Sequence, residues 1–301
     1  VPDTEICITP SDRGFILGDA VYEVARTYRH VPFHPDWHLN RLYDSLHYIR
    51  LEPLIKKSEM RDLTEEVLRR NLVHVAPDDD VILTQRVTRG PHRGPFAVVP
   101  LGPPTVLITC RPLHFAPFAR LYAEGVELET PPYKLPALGG IDPRVKTHSR
   151  LLSALGAVAV AVPGRPVLPL FTDVDDRVRE STSANVFFVK DSEVLTPPDE
   201  MVLGGITRRV VLDLARQLDL RVSARPIELQ ELGAVDEAFI AATSFAILPV
   251  RRIYTFHLRS VPGPVTARLI AAFSELVGID IVEQALQQGS SARVATDGGA
   301  R

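Results

Sequence analysis

Only two cysteines, Cys7 and Cys110, occur in 301 residues. That excludes a disulfide framework and any Cys-Cys metal motif, and it fits a reducing compartment. A surplus of charge is missing too: 34 Lys and Arg stand against 37 Asp and Glu, a net charge of −3. The arginines are scattered rather than blocked, so no basic stripe is expected for a nucleic-acid backbone. No apolar run reaches the length of a membrane span, and the N-terminus lacks the basic-then-apolar order of a secretory signal. A soluble, cytoplasmic protein without membrane or nucleic-acid partners is expected, with a few residues preceding Val1. The chain also lacks a Gly-x-Ser-x-Gly elbow, a His-Glu-x-x-His helix and a Walker loop. Its nine histidines are dispersed and suit structural or surface roles better than metal ligation, so no metal is expected.

What is present is an ordinary globular balance, 45% hydrophobic and 24% charged, enough for a core and for two domains at this length. The elements predict a mixed α+β / α/β fold. Residues 1–113 read as an α+β domain. A helix over 36–50, opened by Pro35-Asp36, carries Leu39, Leu42, Leu46 and Ile49 on one stripe, and a helix over 58–72 turns Met60, Leu63 and Val67 inward. Strands are expected at 81–83 and 105–109, joined by a Pro/Gly-rich loop over 90–104 long enough to have a task. Residues 114–120, with Pro117, read as an interdomain connector.

The second domain is expected over 121–285. It would hold a strand near 126–128, a helix over 147–160, and a hairpin of 185–189 and 193–196 turned at Lys190-Asp191-Ser192. A helix follows Gly204-Gly205, with Val210, Val211, Leu214 and Leu218 inward. A strand over 237–242 and a helix after Pro264 complete it, and residues 286–301 are expected to be a disordered tail. No internal repeat is visible.

Four features converge on one kind of chemistry. Lys146, in Pro143-Arg144-Val145-Lys146-Thr147-His148-Ser149-Arg150, offers an amine with two arginines nearby in sequence. Glu180 lies five residues before Asn185 at the mouth of the hairpin. Gly204-Gly205-Ile206-Thr207 opens a helix, where backbone N–H groups and the dipole favour an anion. Arg41, Thr243 and Ser244 add a guanidinium and two hydroxyls to the anion's possible contacts. Pyridoxal 5′-phosphate demands such a set: an amine for its aldehyde, a carboxylate for its pyridine nitrogen, a cradle for its phosphate and apolar cover for its ring. Each residue has a plainer reading: Lys146 a surface charge, Glu180 a loop acid, Asn185 a turn residue, Arg41 a solvated helix arginine, Thr243 and Ser244 local caps. The case rests on the set.

The set resembles the class IV, or fold-type IV, pyridoxal phosphate aminotransferases. The motifs run in family order: Asp12-Arg13-Gly14-Phe15, Gly18-Asp19-Ala20-Val21-Tyr22-Glu23-Val24, His38-Leu39-Asn40-Arg41-Leu42, Lys146-Thr147, Glu180 through Phe187, Leu203-Gly204-Gly205-Ile206-Thr207-Arg208, and Pro249-Val250. The resemblance implies a two-domain fold with the cofactor between the domains. It implies a Schiff-base role for Lys146, a pyridine partner in Glu180 and a phosphate ligand in Arg41. Leu203 would pack on the ring, while Gly205, Ile206, Thr207 and Thr243 help hold the phosphate, with Asn185 and Ser244 beside them. It also implies a homodimer in which a loop of the partner subunit closes each pocket, and amine and keto acid substrates exchanged by a ping-pong route.

Within the family, Val21-Tyr22-Glu23-Val24 and Gln85-Arg86-Val87-Thr88-Arg89-Gly90 look most like the D-amino acid aminotransferases and the (R)-amine transaminases. Tyr22, Val24, Arg86 and Arg93 are then substrate-side residues. The Arg-x-His carboxylate trap of the former group is incomplete, since no histidine stands two residues after Arg93. Branched-chain aminotransferases usually carry a tyrosine where this chain has Leu151, and aminodeoxychorismate lyases a threonine where it has Val24. Both remain alternatives, as does a binding protein that keeps the fold without turnover.

Overall fold

The computed structural model describes residues 1–52, 55–92, 102–136 and 140–288. The chain forms two compact units, residues 1–113 with 145–150, and residues 114–144 with 151–301. Among the described residues no helix is long and apolar enough to cross a membrane.

The first unit is built on an antiparallel four-stranded sheet in which β1 (Ala20–Tyr28) lies between β2 (Val31–Pro32) and β3 (Val81–Thr88), with β4 (Thr105–Pro112) beyond β3. Strand periodicity sorts β1 into two faces. Val21, Glu23 and Ala25 are buried, whereas Tyr22 and Val24 are half-buried. A short helix α1 (Arg13–Leu17) precedes β1, capped by Asp12, which accepts from Gly14 N–H at 2.7 Å and from the Thr88 and Thr105 hydroxyls at 2.8 and 2.6 Å. Two helices, α2 (Pro35–Tyr48) and α3 (Lys57–Leu72), supply the rest of the core. Val21, Leu39, Leu42, Leu46, Met60 and Val87 form one cluster.

Two expectations shift here. Helix α2 stops at Tyr48, and Arg50 just beyond it takes a left-handed φ of 52°. In α3 the inward row is Met60, Thr64 and Leu68, spaced at i, i+4 and i+8, and Gln85 donates to the Thr64 hydroxyl at 2.8 Å. Leu63, expected to point inward, lies off that row and is 40% exposed.

The second unit holds an eight-stranded mixed sheet. Its order is β6 (Val167–Pro169), β5 (Val126–Glu129), β11 (Ala246–Ile253), β10 (Glu237–Ala242), β7 (Asn185–Lys190), β8 (Glu193–Thr196) and β9 (Arg221–Ala224), with β12 (Phe256–His257) also on β11. Its centre is apolar: β10 is buried throughout, and Phe187 stacks on Phe239 with ring centroids 4.8 Å apart. The β7–β8 turn narrows to Asp191 and Ser192, whose φ of 50° and 61° are the left-handed values a two-residue hairpin turn of this hand needs. Helices α4 (Ala116–Glu124), α5 (Leu151–Val160), α6 (Ile206–Gln217) and α7 (Pro264–Val277) accompany the sheet.

The expected connector over 114–120 is therefore largely the start of α4. Pro117 falls at the head of that helix, where its missing N–H costs nothing. The central strand β11 escaped the sequence reading, because Pro249 and the positive φ of Ala246 at 58° mask its pattern. Helix α5 begins at Leu151 rather than at 147, because residues 145–150 are drawn out against β1 of the first unit. Residues 286–288, expected as tail, continue a helix that starts at Ile281, and the remainder of that tail lies outside the described residues.

Candidate active site

In the first unit the chemistry gathers around β1. The segment bearing Lys146 is held there as a short bridge: Tyr22 N–H donates to the Lys146 carbonyl at 3.1 Å, and His148 N–H donates to the Ala20 carbonyl at 2.8 Å. Lys146 N–H also donates to the Ser45 hydroxyl of α2 at 3.3 Å. Its backbone is thus fixed on three sides. The Lys146 ammonium lies 4.8 Å from the centre of the Tyr22 ring. Arg150 donates from Nη1 to the Tyr22 hydroxyl at 3.1 Å, and the His148 ring meets Tyr22 edge-on at 5.1 Å. Register places Arg86 opposite Tyr22 and Thr84 opposite Val24, so these share one sheet face.

The other face of β1 carries Glu23, which is fully buried. Arg41 donates to it from Nε at 2.7 Å and from Nη2 at 2.8 Å, and His38 meets it through Nδ1 at 2.7 Å. Burial pushes the Glu23 carboxyl up, but the charge and hydrogen bonds of Arg41 and the contact with His38 outweigh it and hold the group at about 2. His38 is lowered, first by burial and then by the charges of Arg41 and Lys146, against the pull of Glu23. A neutral imidazole donating from Nδ1 to an ionised Glu23 satisfies both.

In the second unit another carboxylate organises a backbone turn. Glu180 accepts from Leu203 N–H at 3.0 Å and from the Asn185 amide at 3.5 Å, while Asn185 also donates to the Leu203 carbonyl at 2.9 Å. Gly205 follows as the N-cap of α6, with no side-chain cap. A Cβ on Gly205 would fall 2.0 Å from Asn185 Oδ1 and would have to push that side chain aside, whereas a Cβ on Gly204 would meet nothing within 4 Å. Ile206 and Thr207, in the first turn of α6, are both buried. Thr243 and Ser244 follow β10, whose Ala241 pairs with Asn185, which brings that turn to the same end of the sheet. Glu180, Asn185, Leu203 and Gly205 are therefore one connected group.

A family model described as amino-transferase class IV matches residues 20–253. The chain belongs to the class IV aminotransferases. This aminotransferase is 32% identical, over 258 residues, to a Methanocaldococcus jannaschii protein that bears the name branched-chain-amino-acid aminotransferase, with 84% of this chain and 85% of that one covered. It is 30% identical over 276 residues to a D-alanine aminotransferase of Listeria monocytogenes, covering 88% and 89% of the two chains. The crystal structure of a T.th. branched-chain amino acid aminotransferase with pyridoxamine 5′-phosphate is similar with a TM-score of 0.81 at 25% identity, over 92% of this chain and 91% of that one. Class IV aminotransferases use pyridoxal phosphate, so the chain is an enzyme of the pyridoxal phosphate-dependent aminotransferase class.

Among the residues singled out from sequence, Tyr22, Val24, Arg86, Lys146 and, through Glu23, Arg41 gather in the first unit. Glu180, Asn185, Leu203, Gly205, Ile206, Thr207, Thr243 and Ser244 gather in the second. Arg93 lies outside the described residues. Arg41 is not the solvated helix arginine of its plainer reading, since Glu23 binds it through two nitrogens. The sequence reading missed Glu23 as its anchor, and also His38 and His148, and it took Arg150 only as a cationic neighbour of Lys146. The spacing of His38 and Arg41, three apart on a helix, together with a carboxylate between Val21 and Ala25, was the available signal.

Proposed function

We propose that this class IV aminotransferase moves an amino group from a D-amino acid or (R)-amine to a 2-keto acid in two half-reactions. The observation that supports it most is the seat of Lys146, whose backbone is tied to β1 and Ser45 while its ammonium lies over the Tyr22 ring. A backbone held this way leaves any movement to the four-carbon side chain, as an amine that must bind and release a carbonyl requires.

The residues present fit pyridoxal phosphate. The open approach beside Gly204, the uncapped N-terminus of α6 and the hydroxyls of Thr207, Thr243 and Ser244 suit a phosphate. When bound, the cofactor supplies an aldehyde for the amine and a ring that takes up electrons released at the substrate's α-carbon. Lys146 Nζ would take the proton from that carbon and return it in the second half-reaction. Glu180, aimed by Leu203 N–H and Asn185, would keep the ring nitrogen protonated. Leu203 would cover the ring, Gly205 and Ile206 would lend their backbone to the phosphate cradle, and Arg41, oriented by Glu23, would add a phosphate contact. Tyr22, Val24, Arg86 and Arg93 would face the substrate. A homodimer closing each pocket with a partner loop belongs to the same proposal, as does a cytoplasmic location.

The D or (R) preference rests on Val21-Tyr22-Glu23-Val24 and on the likeness to the Listeria enzyme. A second reading, transfer from branched-chain L-amino acids, draws support from the Methanocaldococcus relative, although Leu151 replaces that group's usual tyrosine. The test is the visible spectrum of the cofactor-loaded protein, titrated separately with D-alanine, (R)-1-phenylethylamine, L-leucine and L-glutamate without acceptor. Conversion of the bound cofactor to its amine form by D-alanine or the (R)-amine is expected. Conversion by L-leucine or L-glutamate alone would move the enzyme to the second reading. Lys146→Ala should abolish conversion with every donor, and a variant that still turns over would sink the role of Lys146.

A further inference from the structure

Helices α2 and α3 lie over the sheet of the first unit and leave a pocket of about 360 Å³ between them. Ala25 and Leu83 line it from the strands, and Leu39, Leu68 and Leu72 from the helices. This is the sheet face that carries Glu23, since strand alternation turns Tyr22 and Val24 the other way. The pocket is therefore separate from the face where Lys146 meets Tyr22, and the transfer chemistry does not use it.

Two buried polar side chains interrupt the apolar lining, and each keeps an open acceptor. His38 is 2% exposed and meets Glu23 through Nδ1 at 2.7 Å. A neutral ring that donates from Nδ1 carries a lone pair on Nε2, and among the described residues that atom has no hydrogen-bond partner. Gln85 stands opposite Glu23 in the register of β1 and β3. Its amide donates to the Thr64 hydroxyl at 2.8 Å, and that hydroxyl donates to the Met60 carbonyl at 2.7 Å. The remaining atom, Oε1, accepts from no donor among the described residues. A buried acceptor without a donor is costly, so the two mark a place where donors are received.

We infer that this pocket binds a neutral, largely apolar small molecule carrying an N–H or O–H group, which it donates to His38 Nε2, with Gln85 Oε1 open to a second donor. The lining selects that chemistry. A carboxylate would face two acceptors, and the cations at the pocket are engaged, Arg61 with Asp36 and Arg69 with Glu66. An ammonium would leave water for a mainly apolar wall, at a histidine that already feels the charges of Arg41 and Lys146. The volume stands at the lower end of the roughly 300–1,000 Å³ of small-molecule sites, which suits a ligand of one or two rings. The inference does not depend on the transamination reading, because binding can be read without turnover.

The test is calorimetric titration of the cofactor-loaded protein with indole and with 1-methylindole, alongside NMR of the protein with isotopically labelled histidine nitrogens. Apolar burial alone would make 1-methylindole the tighter ligand, through its extra methyl. A donor received at Nε2 reverses that order. Indole should bind once per chain and at least about fivefold tighter than 1-methylindole, and the His38 Nε2 signal should shift with indole and not with 1-methylindole. Leu72→Trp, which fills the pocket from α3, should remove indole binding. Absence of saturation with indole, 1-methylindole binding as tightly or more tightly, a His38 signal unmoved by indole, or indole binding unchanged in Leu72→Trp would each overturn the site. If Leu72→Trp fails to fold by circular dichroism, intermolecular NOEs from indole to the methyl groups of Leu72 and Val31 in the wild type take its place: their presence supports the site and their absence removes it.

Discussion

Glu23 and Glu180 show how differently two carboxylates are kept in place in the two units. Glu23 sits inside the first unit with no exposure, and its charge is matched by a guanidinium binding through two nitrogens and by an imidazole. Glu180 is half-buried at the sheet end of the second unit and takes neutral donors, the Leu203 amide and the Asn185 side chain. The first arrangement fixes the aim of Arg41 and ties up its own charge in doing so. The second fixes direction through neutral donors, while the charge of Glu180 also acts on the neighbouring Arg179. A buried ion pair suits a positioning role because breaking it strands a charge, whereas neutral donors suit a group whose charge must do chemistry.

That contrast can be broken experimentally. Replacing Glu180 by Gln should leave the cofactor bound and the fold intact while lowering the rate of the first half-reaction by roughly 10²-fold or more. Stopped-flow measurement of cofactor conversion checks this, and unchanged kinetics would mean that another group protonates the ring. Glu23→Gln should instead show itself in stability, at a cost of about 3 kcal/mol, measured by urea denaturation of the apoprotein.

The pH dependence separates the two further. Glu23 has its carboxyl lowered from 4.5 to about 2, so its contribution is complete above pH 4.5 and is lost as pH falls toward 2. A shift of that size corresponds to about 3 kcal/mol. The folded state also keeps His38 lowered, which adds stability above its ordinary range and loses it as pH falls. Wild type should therefore weaken between pH 4.5 and 2 more steeply than Glu23→Gln, which keeps the contribution of Glu127 and the other lowered carboxyls. Equal slopes would show that the ion pair is not the anchor.

Two smaller effects sharpen the comparison from the second unit. Gly205→Ala places a methyl against Asn185 Oδ1 and must displace the side chain that aims Glu180. It should cost about 1–3 kcal/mol and slow the half-reaction in the same sense as Glu180→Gln, as thermal melting and the same stopped-flow assay would show. Ser192→Gly lies far along the hairpin, relieves a left-handed φ of 61° and should stabilise by about 0.5–1 kcal/mol without touching the rate. A rate change there would mean that the β7–β8 hairpin and the candidate site are coupled.

Most of the local structure was legible because periodicity and punctuation agree. The stripe Leu39, Leu42, Leu46 gave a buried helix face, and Asn185 through Thr196 gave a hairpin. The less legible elements broke a local rule for a tertiary reason. Pro249 sits in a central strand, Leu63 turns outward because Met60 and Leu68 take the buried row of α3, and residues 147–150 follow β1 although their neighbours form a helix. In the candidate site, Lys146, Glu180 and the glycine-started helix could be read from residue type and order. Glu23, His38, His148 and the contact of Arg150 with Tyr22 could not, because their significance lies in partners brought close by the fold.

The sequence by itself determined the family, the order of the elements and the identity of the residues with reactive side chains, since these follow from residue types at set spacings. Tertiary structure alone decided that Arg41 answers to Glu23, that Gly205 lies close beside Asn185 and that Arg150 meets Tyr22. Each of those is a contact between residues far apart in the chain, set by strand register and burial, which no single stretch of sequence encodes.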